Sequence, residues 1–356
     1  MATTALSDVL VCPRNAPERA VKINGSGLSV SWERNKAGSI AFRIPCADLA
    51  AAGLAGDITG RWLAYEHPTA GRWGGVLTSC LVTDGVAEIA GMSFHVLARG
   101  RVPVAPGSKP LVLSKTPGSL FIEVFDRITS RYAASPTMLR LDPSRVNAAA
   151  GTPMTVEWGP EDVYEDIIPS LTDDIDYEWD VDADRNVSFG KRLGRDLSGS
   201  VVLTEGVEVL AGSRWNDDAY TVMNVITGVG STGLGNSVRG RTASSRYQIG
   251  PATVSDTASI GKYGLSETVL DYGPLGSRSA LEALLRADIA RMAWPQASIE
   301  LQVADVNNVW AKVRVGDLVT VVLGASGVRG VLRVWSRALD VDGSRLNLAG
   351  VGARDR

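Results

Sequence analysis

The sequence predicts a mainly β protein with α+β parts, folded as more than one packed unit. Three observations carry this. The chain has 356 residues, more than one domain usually holds. Apolar and polar residues alternate through the first hundred and the last sixty residues, which is the period of strands. Between them, apolar residues recur at helical spacing. Hydrophobic residues make up 45% of the chain and charged residues 21%, enough apolar material for a real core.

The first hundred residues read as short strands joined by Gly-rich turns, the pattern of a small barrel or sandwich. Val21 and Ile23, then Leu28, Val30 and Trp32, alternate across Asn24-Gly25-Ser26-Gly27, which reads as a hairpin. Ile40, Phe42 and Ile44 form a strand that Pro45 ends. Val76 to Val82 and Val86 to Ile89 flank a Thr83-Asp84-Gly85 turn. In the middle, Leu120, Phe121, Val124, Phe125, Ile128 and Tyr132 share a helical face, with Ser119 as the expected N-cap. A second helix is expected from Pro160, with Val163, Ile167 and Leu171 inward. A hairpin of Tyr177 and Trp179 against Val187 and Phe189 follows. A third helix is predicted over 278–293, facing the core with Leu281, Leu284, Leu285, Ile289 and Met292. The chain then returns to strands at Ile299 to Val303, Val313 and Val315, Leu318 to Leu323, Val331 to Leu339, and Leu346 with Leu348. Gly324 to Gly330 and Asp342-Gly343 read as turns. The stretch from Gly228 to about Tyr247, rich in Gly, Ser and Arg, reads as a loop or crossing.

Composition excludes several classes of function. The chain carries 36 basic and 39 acidic residues, a net charge of −3, whereas non-specific nucleic-acid binding needs a basic surface. Cys12, Cys46 and Cys80 are far apart and read as free thiols. The N-terminus shows no basic segment followed by an apolar run, and no stretch of about 18 apolar residues exists. No signal peptide and no stable membrane insertion are therefore expected.

No complete catalytic or cofactor site is expected, and no catalytic, cofactor-binding or metal-ligating residue is assigned. The chain has two histidines, His67 and His95. His95 stands too close in sequence to Ser93 to make a triad without an elbow motif. Gly228, Gly230 and Gly233 match a dinucleotide-loop spacing, yet Leu234-Gly235-Asn236-Ser237 does not open the helix that phosphate needs. Residues 161–184 hold eleven acidic side chains and no Lys or Arg. Asp180, Asp182 and Asp184 have the spacing of the first calcium-loop ligands, but Arg185 and Lys191 stand where that loop needs Gly and Glu. The run is better read as a hairpin with an acidic turn. Nine tryptophans suit core or interface burial, and sugar-binding platforms are the other use of exposed ones.

Two stretches carry a known pattern. One is Val86-Ala87-Glu88-Ile89-Ala90-Gly91-Met92-Ser93-Phe94-His95-Val96-Leu97-Ala98-Arg99, a strand, a Gly, then a short helix ending in Leu-x-Arg. The other is Val313-Arg314-Val315-Gly316-Asp317-Leu318-Val319-Thr320-Val321, continued by Gly330-Val331-Leu332-Arg333-Val334. Together they resemble the hub proteins of phage tail tips, the siphophage relatives of the myophage baseplate hub, also akin to type VI secretion spikes. The resemblance covers most of the chain in order. It implies two small barrel-like hub domains with α+β insert domains: 1–105 as the first barrel, 106–201 plus 232–296 as the α+β domain, and 202–231 plus 297–356 as a split second barrel. It implies a virion component of the tail tip, made and assembled in the host cytoplasm. Three copies would close a ring that joins the tail tube to the tip, with DNA only in transit. The implied partners are the distal tail protein, the tape measure protein and tail fibre or spike proteins. As the chain stops at Arg356, after that second barrel, host binding and lysis are expected on other proteins. Two rival readings are a tail-associated cell-wall hydrolase and a glycan-binding receptor module.

Overall fold

The alternation of the first hundred residues builds six strands and one short helix: β1 (Ser7–Cys12), β2 (Val21–Glu33), β3 (Ser39–Pro45), α1 (Cys46–Ala51), β4 (Trp62–His67), β5 (Gly71–Thr83) and β6 (Val86–Ser93). They are seen in a computed structural model that describes residues 7–13, 20–54, 60–131, 141–151, 153–172, 177–231, 249–274, 278–342 and 344–354. β1 runs antiparallel to both β2 and β4. The order β4-β5-β6-β3-β2 then closes the six strands into a barrel, and closure removes free edges. Ile23, Leu28, Val30, Ile40, Phe42 and Leu63 fill it.

The hairpin expected at Asn24 to Gly27 is not formed. β2 runs straight through these residues as one strand of 13 residues. The glycines make a bulge instead: the register against β3 shifts between Ser26 and Ser29, and Gly27 has a φ of +64°. The extra residue keeps Ile23 and Gly25 on one side of it, and Leu28 and Val30 on the other, all facing inward. Gly25 also has no room for a side chain, because a Cβ would stand 2.6 Å from the Phe42 ring. By contrast, the β5–β6 hairpin turns as expected, with positive φ at Asp84 and Gly85.

The middle of the chain forms β7 (Leu111–Lys115), α2 (Pro117–Arg131), β8 (Met154–Trp158), α3 (Tyr164–Leu171), β9 (Glu178–Val181) and β10 (Val187–Gly190). β7 pairs with β8 and β9 with β10, each antiparallel. α2 starts before the expected cap. Its first residue is Pro117, and the Thr116 hydroxyl, not Ser119, accepts the Ser119 N–H at 3.3 Å. Ser119 instead donates its hydroxyl to the Ala148 carbonyl at 2.8 Å. Tyr132, expected on its inward face, lies outside the described residues. α3 starts later than Pro160, because the Asp162 carboxylate accepts the Gly159 N–H at 2.6 Å and ties 159–162 into a turn. Leu120, Phe121 and Phe125 of α2 and Ile167 and Leu171 of α3 share one core with Trp179 and Phe189.

The remaining elements are β11 (Val202–Thr204), β12 (Arg214–Asp217), β13 (Val225–Ser231), β14 (Ile249–Ser255), α4 (Thr257–Tyr263), β15 (Glu267–Pro274), α5 (Arg278–Met292), β16 (Ala297–Val303), α6 (Val309–Lys312), β17 (Leu318–Leu323), β18 (Val328–Asp340) and β19 (Arg345–Arg354). Contacts divide the chain into one unit of Met1–Arg214 with Glu300–Gly350 and another of Trp215–Ile299 with Val351–Arg356.

In the first unit the barrel continues into the last strands. The N-terminal half of β2 pairs with β1, and its C-terminal half, Ser29–Glu33, pairs with Asp340–Ser336 of β18. The other half of β18, Val328–Arg333, pairs with β17, and β11 lies parallel to β17. Two long strands are thus shared between neighbouring sets. Val313 and Val315, expected in a strand, flank the end of α6 and a turn in which Gly316 takes a φ of +90°.

In the second unit β13 lies between β14, antiparallel, and β15, parallel. Gly228 and Gly230 therefore sit in a strand, not in the expected loop, and Gly233 lies outside the described residues. Val225–Ser231, expected among the second-barrel strands, finds its partners in β14 and β15. α5 covers this sheet with Leu281 and Leu285 against Ile226, Ile249 and Ala252. Leu284, expected inward, is 41% exposed.

Candidate functional site

Each residue singled out by its chemistry takes a structural place. The ring Nδ1 of His67 accepts the N–H groups of Thr69 at 3.3 Å and Ala70 at 3.1 Å, closing the turn after β4. The ring stands against Trp310 at 5.6 Å, and desolvation lowers its pKa.

His95 is buried, and here the fold assembles something that chain spacing hid. Its Nδ1 is 2.9 Å from the Ser93 hydroxyl, and its Nε2 is 3.4 Å from a carboxylate oxygen of Asp180. A serine, an imidazole and a carboxylate do come together. They do not form a nucleophile site, because Ser93 is 7% and His95 6% exposed, and a nucleophile must meet substrate. The Ser93 oxygen is also committed, accepting the Gly38 N–H at 3.0 Å. The cluster holds the start of β3 to the turn after β6.

The acidic turn of β9–β10 is held by hydrogen bonds and ion pairs, not laid out as a calcium loop. One oxygen of Asp182 accepts the N–H groups of Asp184 and Asn186, each at 2.9 Å. The other pairs with Arg145 at 3.1 Å, and Asp184 takes a two-pronged contact from Arg72. Among the described residues no three His, Cys, Asp or Glu side chains form a metal-binding group. Gly228 is a packing position: a Cβ there would stand 2.9 Å from both Leu281 and Leu285.

The two motif stretches are packing joints. A Cβ on Gly91 would meet Leu63 at 2.6 Å and the Val76 carbonyl at 2.9 Å. Gly194 approaches Gly316 so closely that a Cβ would stand 1.9 Å from its carbonyl carbon. Beside them the buried Asp317 carboxylate accepts the backbone N–H groups of Arg195 at 2.8 Å and Arg314 at 2.9 Å, and the Arg195 guanidinium at 2.8 Å. Glu178, also buried, receives Arg34 and Arg333, and so ties β9 to residues beside β2 and within β18.

Of the tryptophans, Trp73, Trp158, Trp179 and Trp310 are buried, whereas Trp335 is 41% exposed with Arg34 over its ring at 5.6 Å. One group of exposed apolar side chains lies on the far part of β5, after its register shift between Leu77 and Ser79. There Leu81 and Val82 are 61% and 59% exposed, with Val86 on the facing strand. Apolar surface of this kind suits contacts in an assembly more than chemistry. No helix among the described residues is long and apolar enough to cross a membrane.

No family model and no curated protein matches the chain. Solved structures do match over nearly its whole length. They include the prophage tail protein gp18 from Listeria monocytogenes EGD-e, with a TM-score of 0.62 and 11% identity over 98% of this chain and 96% of that one. The 43 kDa tail protein of prophage MuSo2 from Shewanella oneidensis gives 0.63 and 12%, over 97% and 98%. A tail protein from Neisseria meningitidis MC58 gives 0.61 and 13%, over 97% and 96%. The chain has the fold of these tail proteins.

Proposed function

We propose that this chain is a structural subunit of a phage tail tip, a baseplate-hub-like protein that works by assembly and not by catalysis. The observation that supports this best is the end-to-end likeness to three tail proteins, from chains that share little sequence with it. The packing roles of His67, His95 and the Asp180–Asp184 turn agree with it.

In this reading 1–105 is the first hub barrel, 202–231 plus 297–356 the second except for Val225–Ser231, which pairs with β14 and β15, and 106–201 plus 232–296 the α+β domain. A tube of sixfold symmetry must narrow to a threefold tip. A subunit with two similar β bodies does this, because three copies present six like surfaces around one axis. The strands shared through β2 and β18 would hold the two bodies of one subunit in fixed register, so the ring's spacing is set within each chain. The distal tail protein would lie above the ring and fibre or spike proteins below, with the tape measure protein and DNA passing through its centre. Particles would assemble in the host cytoplasm.

The test is a reconstruction of the intact particle with this chain tagged. The expected result is three copies around the tail axis at the tip. Six copies, or a single copy off the axis, would overturn the ring.

A further inference from the structure

The core of the α+β part of the first unit is aromatic, and three polar atoms lie inside it without a hydrogen bond to protein: His95 Nε2, the Tyr164 hydroxyl and Trp179 Nε1. Their residues are 6%, 5% and 4% exposed. Ring contacts make them neighbours, with His95 edge-on to Trp179 at 4.4 Å and Tyr164 edge-on to Trp179 at 5.9 Å. A fourth such atom, Trp62 Nε1, stands at the margin of the same core, where Trp62 packs on Phe94 at 5.7 Å. Asp180 is the nearest charged group, with a carboxylate oxygen 3.4 Å from His95 Nε2, a long contact that leaves room for a better acceptor.

Buried donors without acceptors are rare in folded proteins, and each one calls for a partner. Here three are linked through a single indole. The indole N–H can only donate, the phenol can donate and accept, and the outer imidazole nitrogen has only the Asp180 carboxylate beside it, at 3.4 Å. The matching guest is small and neutral, offers an acceptor oxygen and can also donate. An anion is a poor match, since burial already holds the Tyr164 phenol well above its usual pKa. Water has this chemistry, and one buried water can serve two to four such groups at once.

We infer that His95, Tyr164 and Trp179 enclose a structural water site between the turn after β6, α3 and β9. The site is independent of any role in a tail. It gives this core a hydrogen-bonded centre where the apolar packing alone leaves three groups unmatched.

Two measurements on the full chain test it. A crystal structure that resolves ordered water should show an oxygen within about 3 Å of at least two of the three atoms. In solution, the Trp179 indole N–H should give a cross-peak to bound water that is lost or weakened in Tyr164→Phe. A dry site gives the opposite: empty density, no cross-peak in the unmodified chain, and a Tm that rises in Tyr164→Phe because an unmatched hydroxyl has been removed. Density that pairs the three atoms with protein acceptors would equally overturn it. Should Tyr164→Phe fail to fold, Trp179→Phe and the density of the unmodified chain decide the matter.

Discussion

At the scale of single residues, the motif stretch around Gly316 marks a place where backbone meets backbone. Asp317 shows why. It is 1% exposed and gathers two backbone N–H groups and a guanidinium, beside the contact where Gly194 and Gly316 nearly touch. Asp317→Ala should therefore leave buried donors unmatched and cost about 2 kcal/mol or more, read as a lower midpoint in denaturant. Arg195→Ala should cost less, since its side chain is 55% exposed. Equal costs would mean that the guanidinium, not the backbone donors, is what Asp317 holds. Gly228 makes the same point about motifs. Its spacing with Gly230 imitates a phosphate loop, but the reason for glycine is the leucine pair of α5 above it.

At the scale of elements, the two-residue period was legible wherever one face of a strand is buried, as in β3, β6, β9, β10 and β16. Glycines were harder, because a tight turn and a bulge use the same residues, and only the pairing of β2 with β3 decides between them. That distinction can be tested. Deleting Ser26 should remove the bulge and move either Ile23 or Leu28 with Val30 to the outer face, so the barrel should fail to form. Gly27→Ala keeps the residue count and should cost only about 1–2 kcal/mol, for a side chain at positive φ. Similar mild losses from both changes would mean that the register is not set there. Helix faces were legible in period but not in phase. Leu281, Leu284 and Leu285 all fit the stripe, yet among the described residues Leu281 and Leu285 meet the sheet and Leu284 stays outside. Leu285→Ala should cost about 2–5 kcal/mol, and Leu284→Ala no more than about 0.5 kcal/mol, both measured by thermal or denaturant unfolding. The Ser93–His95–Asp180 cluster was not legible at all, since its carboxylate comes from a separate hairpin.

At the scale of the whole molecule, the decisive feature of the first unit is that its β bodies share strands instead of merely touching. β2 gives one half to β1 and the other to β18, and β18 divides itself between β2 and β17 in the same way. Main-chain hydrogen bonds therefore run from the start of the chain to its last strands, reinforced by the Arg34 N–H on the Trp335 carbonyl at 2.8 Å. Glu178 adds a charged tie, because it holds both Arg34 and Arg333. Removing the last strands would thus do more than delete a neighbour. A chain ending at residue 299 would lose β18 and β17, leaving Ser29–Glu33 of β2 and all of β11 without their partners, and Glu178 buried with one cation fewer. Unpaired edges of this length invite pairing with other chains. The expected outcome is a truncated protein that aggregates, or that stays soluble with amide protons of β2 and β3 exchanging far faster than in the full chain. Exchange protection in β2 and β3 equal to that of the full chain would show that the first barrel stands alone, and that the shared strands join two bodies without stabilising either.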